Sequence, residues 1–109
     1  MKTYQTAIAA LQQAKEQHQQ WVAEVINSPL PKVEHNPLRC AFGQWLQASE
    51  AELGELAEFR ALDEPHRKLH EAYTLISQTP GLDLLERETR YHSTLLIERI
   101  DALQAALEA

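Results

Sequence analysis

The chain has 109 residues, enough to bury a core without disulfide staples, and the expectation is a single domain over residues 1–109. Sixteen acidic residues against ten basic ones give a formal net charge of −6, and the basic residues are scattered, so the footprint of a nucleic-acid binder is missing. No apolar run approaches the roughly 18 to 20 residues of a membrane span, and Met1-Lys2-Thr3-Tyr4-Gln5 opens no signal-peptide core. The chain is therefore expected to be cytoplasmic, and its lone cysteine, Cys40, agrees with a reducing compartment.

Ala, Leu, Glu and Gln dominate and glycine is scarce, which predicts an all-α fold. From the N-terminus, Tyr4, Ile8, Leu11, Lys15, His18, Val22 and Val25 alternate steps of four and three, the stripe of a long bundle helix that includes a histidine. Asn27-Ser28-Pro29-Leu30-Pro31 ends it, because proline removes a donor and disfavours α geometry in its predecessor. A loop to about Pro37 or Leu38 leads into a short helix around Cys40, where Phe42, Trp45 and Leu46 share a face and Gly43 admits a close backbone. Ser49 and Glu52 read as a capping box for a further short helix to about Arg60, weakened by Gly54.

Asp63-Glu64-Pro65 predicts the next helix start, with Asp63 as the N-cap and acidic charge in the first turn. His66, His70, Leu69, Tyr73 and Ile76 fall on its inner face, and Pro80-Gly81 terminates it. The last helix, from about Leu82 to Leu107, carries Leu82, Leu85, Thr89, His92, Leu96, Ile100, Leu103 and Leu107 on one stripe. Three long helices and the short ones around Cys40 and residues 50–60 predict one antiparallel, four-helix-bundle-like assembly.

A single thiol cannot close an internal disulfide, so Cys40 is either a buried small hydrophobe or a ligand, redox group or nucleophile. The histidines weigh on that choice. Residues four apart on a helix are offset by about 40° and rise about 6 Å, so His66 and His70 can aim two imidazoles at one point. With an inward His18 on another helix and one thiol, the set supplies the four ligands that zinc takes in a tetrahedron. The candidate site is therefore His18, Cys40, His66 and His70, with zinc as its cofactor.

Three segments carry a family resemblance: His18-Gln19-Gln20-Trp21, Cys40-Ala41-Phe42-Gly43-Gln44-Trp45 and Pro65-His66-Arg67-Lys68-Leu69-His70. In this order they resemble the chemoreceptor zinc-binding domain, a family of bacterial helical-bundle modules. The resemblance implies that the same four residues ligate zinc. It further implies a sensor module for chemotaxis or cyclic-di-GMP-type signalling, attached to a chemoreceptor or a diguanylate cyclase and often a homodimer. Some members are thought to respond to hypochlorous acid through the corresponding cysteine, which points to Cys40 as a switchable ligand. The chain carries neither a methyl-accepting coiled coil nor a cyclase domain, so the expectation is a stand-alone member or an excised domain.

Outside these segments, His92 lies on an inward stripe and is expected to be a hydrogen-bonded core or near-core residue, and His35 a solvated loop residue. Trp21 and Trp45 are expected to exclude water from the site. Glu50, Glu52, Glu55 and Glu58 read as a solvated face, and no catalytic carboxylate pair is present, so the chain is not expected to be an enzyme. The alternatives are a helical interaction domain with core histidines and a helical-bundle iron or zinc metalloprotein.

Overall fold

A computed structural model describes residues 4–27, 33–79 and 81–109. Its helices are α1 (Gln5–Asn27), α2 (Ala41–Leu53), the single-turn α3 (Ala57–Arg60), α4 (Asp63–Gln78) and α5 (Asp83–Glu108). The fold is an all-α bundle of four helices plus that turn, with no strand among the described residues. α5 packs on α4, α1 and α3, while α2 packs on α1. α1 and α5 run antiparallel: Lys15 pairs with Asp101, and Val22 shares a hollow with Ser93.

The stripes explain the packing. Leu11, Ala14, His18, Val22 and Val25 of α1 are buried, as are His66, Leu69, His70, Tyr73 and Ile76 of α4. Lys15 sits at the edge of the stripe, its stem partly covered while its ammonium reaches Asp101 at 2.7 Å. On α5, Thr89, Ser93, Leu96, Ile100, Leu103 and Leu107 are buried. The expected stripe is corrected at its start: Leu82 is an exposed N-cap, and Ser93 takes the inward place given to His92. Positions 92 and 93 flank the stripe at the same level, and there the small hydroxyl faces the core while the imidazole occupies the rim.

Two helix starts also differ from expectation. Ser49 opens no new helix, because α2 runs unbroken from Ala41 to Leu53. A capping box there would give up helical hydrogen bonds already formed, and extension by one more turn buries Leu53 before Gly54 ends the run. The N-cap position of α4 is Leu62, not Asp63, with no side-chain cap; Leu62 stays in α geometry because α3 leads almost directly into α4. Asp63 instead accepts from Arg67 one turn on, at 2.9 Å. The proline pair at 29 and 31 and Pro80 lie outside the described residues, although α1 ends at Asn27 and α4 at Gln78 as they require. Gly81 has φ of 83°, the left-handed conformation that a side chain rarely adopts.

Candidate metal centre

His18 stands in the middle of α1, and its Nδ1 lies 2.9 Å from the carbonyl oxygen of Ala14. A carbonyl only accepts, so Nδ1 carries the proton and the lone pair of Nε2 faces the bundle interior. Cys40 is the N-cap of α2, in extended geometry, with Sγ accepting from the Gly43 N–H at 3.2 Å. Gly43 makes this turn possible: a Cβ there would stand 1.7 Å from the carbonyl oxygen of Pro37. The expected close backbone approach is thus the contact that folds the 37–40 turn over the helix start. His66 and His70 project from the inner face of α4, both essentially solvent-free.

The four donor atoms all lie within 4.8 Å of one another, on four buried side chains. Nε2 of His18 is 3.4 Å from Nε2 of His70, and Sγ of Cys40 is 3.3 Å from Nε2 of His66. Zinc held at about 2.0–2.1 Å by nitrogen and about 2.3 Å by thiolate needs tetrahedral edges of about 3.3–3.6 Å. Two edges are already of that length, and the donor set of three imidazoles and one thiol suits a tetrahedral metal ion.

Burial pushes every donor away from its charged form. The His18 imidazole is held below its ordinary pKa; His66 falls to about 2 and His70 to about 4, first by burial and then by repulsion from neighbouring histidines. Burial also raises the Cys40 thiol, against the opposing pull of the Gly43 and Phe42 N–H groups. The histidines therefore present neutral nitrogens, the form that binds a metal, and a cation at their centre would reverse the penalty on the thiolate.

A chemoreceptor zinc-binding domain profile matches residues 4–76, well over half of the chain and every one of the four donors. The chain belongs to the chemoreceptor zinc-binding domain family. No curated protein and no solved structure matches it. The family segment stops before α5, which adds no donor but forms the surface on which α4 and α1 pack.

Around the cluster of this chemoreceptor zinc-binding domain, Phe42 lies edge-on to His66 and His18, with centroids at 4.9 and 5.8 Å. Trp21 covers His18 at 5.1 Å and His70 at 5.8 Å. Trp45 touches neither; it stacks behind Phe42 at 5.8 Å, a support one layer further out. His35 is exposed as expected, yet its Nδ1 reaches the Thr74 hydroxyl at 3.0 Å and ties the loop to α4. His92 stays outside the cluster, half-buried at the near-core edge, with its Nε2 3.3 Å from the Glu88 carboxylate and its Nδ1 buried without a partner. Tyr73 is a residue that sequence reasoning assigned only to packing. Its hydroxyl donates to the His18 carbonyl at 3.2 Å and locks α1 to α4 beside the cluster. The available signal was a tyrosine three residues after His70 on the same face, since a buried phenol needs an acceptor. Among the described residues no other group of three or more His, Cys, Asp or Glu side chains could hold a metal ion. No helix of the described residues is long and apolar enough to cross a membrane.

Proposed function

We propose that the cluster is a zinc site, with His18, Cys40, His66 and His70 as its ligands, and that the chain is a cytoplasmic sensory module reporting zinc level. The observation that carries this reading is the convergence of four buried donors from α1, the start of α2 and α4 on one point. Bound zinc supplies charge that holds Cys40 as a thiolate and ties these three elements together. The residues do the rest: the Ala14 carbonyl orients His18, the Gly43 N–H orients the sulfur, and Tyr73 keeps α1 in register with α4. Metal analysis of protein purified without a histidine tag should give one zinc per chain, and X-ray absorption should count three nitrogens and one sulfur. Iron, or an open coordination position, would favour the metalloprotein alternative instead.

Membership of a family named for chemoreceptors supports a role beside a chemoreceptor, in chemotaxis, and a diguanylate cyclase is the other signalling partner the resemblance implies. A homodimer would let zinc status pass to such a partner, and exposed Leu75, Leu82 and Leu84 offer apolar surface for it. Light scattering behind a sizing column should give twice the chain mass; a monomer at tens of micromolar removes this route. An oxidant such as hypochlorous acid is a second input. Hypochlorous acid would oxidise the Cys40 thiolate by two electrons to the sulfenic acid and leave as chloride, removing one anionic donor. Cys40 is only 3% exposed, which favours zinc as the primary signal. Sub-stoichiometric hypochlorous acid that consumes Met1 or the tryptophans while Cys40 stays reduced would eliminate this input.

A further inference from the structure

On the face of the bundle away from α1, a hollow of about 480 Å³ opens between the end of α3, the start of α4 and the middle of α5. Arg60, Lys68 and Arg99 line it, one cation from each of three helices, against the single carboxylate of Glu64. That is an unusual concentration in a chain of net charge −6. Two of these cations, Lys68 and Arg99, are poorly satisfied internally. Arg99 makes no hydrogen bond or ion pair among the described residues, and Lys68 comes only to 3.9 Å of Glu71. Arg60 uses Nη1 on the carbonyls of Gly54 and Glu55, which fixes the guanidinium and leaves its other N–H groups free to donate. The remaining walls are apolar or aromatic: Pro65, Leu95 and the ring of Tyr91, which is 61% exposed and packed edge-on against His92.

We propose that this hollow binds a small aromatic phosphate ester, its dianionic phosphate gathered by Arg60, Lys68 and Arg99 and its ring laid against Tyr91 and Leu95. Three cations around one hollow would favour a dianion over a monoanion, because a forked guanidinium and an ammonium can each engage a separate phosphate oxygen. The exposed tyrosine supplies the stacking surface that inorganic phosphate cannot use. The ligand would bridge α4, which carries His66 and His70, to α5, which carries no metal donor, so occupancy is a second input independent of the metal. This site does not rest on the identity of the metal.

The test is a titration of the isotope-labelled full chain, as purified and at constant ionic strength, followed by amide NMR, with phenyl phosphate, inorganic phosphate and benzoate as probes. Phenyl phosphate should give saturable shifts confined to the neighbourhood of Tyr91, Leu95 and Arg99, with benzoate and inorganic phosphate each weaker by several-fold. Arg99→Gln and Lys68→Gln should each weaken phenyl phosphate by roughly tenfold, the cost of one charge-assisted contact. Arg90→Gln, an exposed cation outside the hollow, should change nothing. Tyr91→Ala should narrow the gap between phenyl phosphate and inorganic phosphate. Shifts spread over all surface arginines, equal binding of inorganic phosphate, or binding indifferent to both Arg99→Gln and Lys68→Gln would each overturn the proposal. These side chains lie on the hollow's surface, and an unchanged amide spectrum of each variant without probe confirms that its fold is intact.

Discussion

The seam along α5 and the cluster between α1 and α4 are both fully buried, but they are held by opposite chemistry. In the seam, Leu96, Ile100 and Leu103 meet the neighbouring helices through carbon alone, and every contact formed on folding is favourable in itself. In the cluster, three imidazoles and a thiol lose their water and face one another across 3.3–3.4 Å contacts. Burying such groups costs free energy unless something at their centre accepts all four. The bundle therefore has one half that stabilises itself and one half whose stability is conditional on what its four donors hold.

The largest expected effect is on that conditional half. Stripping the metal with a strong chelator should cost about 4 kcal/mol where free zinc had exceeded its Kd a thousandfold, and lower the melting temperature by roughly 15–25 °C. A melting curve that a chelator leaves unchanged would mean that the cluster is an ordinary polar core. Next comes the self-sufficient half. Leu96→Ala should destabilise by about 2–5 kcal/mol, through lost burial and a residual cavity, with or without metal. Its zinc affinity, measured by competition with a chromogenic chelator, should stay within a few-fold of the parent's, because α5 contributes no donor. A large loss of affinity would join the two halves that the comparison separates.

How far this division was legible in the sequence depends on the kind of signal. The i, i+4 spacing of His66 and His70 and the stripe through His18 place three donors on inner faces, because helical periodicity alone decides that. Gly43 announced a close backbone approach before Pro37 was known to provide it. The end of α2 was not legible: Ser49 and Glu52 form a correct local signature, but a helix already running from Ala41 had no reason to stop. The choice between His92 and Ser93 was also hidden, since both lie within one step of the α5 stripe and the neighbouring helices decide which turns inward. Tyr73 could be placed on the inner face, whereas its acceptor on α1 became visible only with the tertiary packing.

A smaller effect should follow pH in metal-stripped protein. His66 and His70 have folded pKa values depressed to about 2 and about 4, against about 6.5 when unfolded, so between these limits the unfolded chain binds more protons. Stability should therefore rise with pH up to about 6.5 and fall below it, approaching about 1.4 kcal/mol per pH unit for each histidine. Denaturant titrations at pH 7.5, 6 and 5 measure this. A flat profile would show that the imidazoles reach solvent or one another's protons when the metal is gone. His66→Leu sharpens the same comparison through a change of sign. Without metal it should be neutral or stabilise by about 1 kcal/mol, since an apolar group of similar size replaces an unrewarded polar one. With zinc present it should destabilise, and destabilisation in both states would mean that the cluster stabilises itself.

The smallest effect belongs to His35, the histidine of the loop before Cys40 and the best control for the ligand assignment. Its contact to the Thr74 hydroxyl is exposed, so water replaces it readily when the ring is removed. His35→Ala should change stability by no more than about 0.5 kcal/mol, the usual range for a surface substitution away from special features. Its zinc affinity should stay within a few-fold of the parent's, whereas His70→Ala removes a buried donor and should lower affinity by orders of magnitude. The two residues are useful as a pair because Thr74 links them: its hydroxyl donates to the His70 carbonyl at 3.2 Å and meets His35 on the other side. If the loop positioned His70 through Thr74, His35→Ala and Thr74→Ala would both weaken zinc binding as strongly as His70→Ala. The helix makes that outcome unexpected, because the backbone of α4 already fixes His70 and the hydroxyl only decorates it. Equal losses in all three variants would move the ligand set toward the loop.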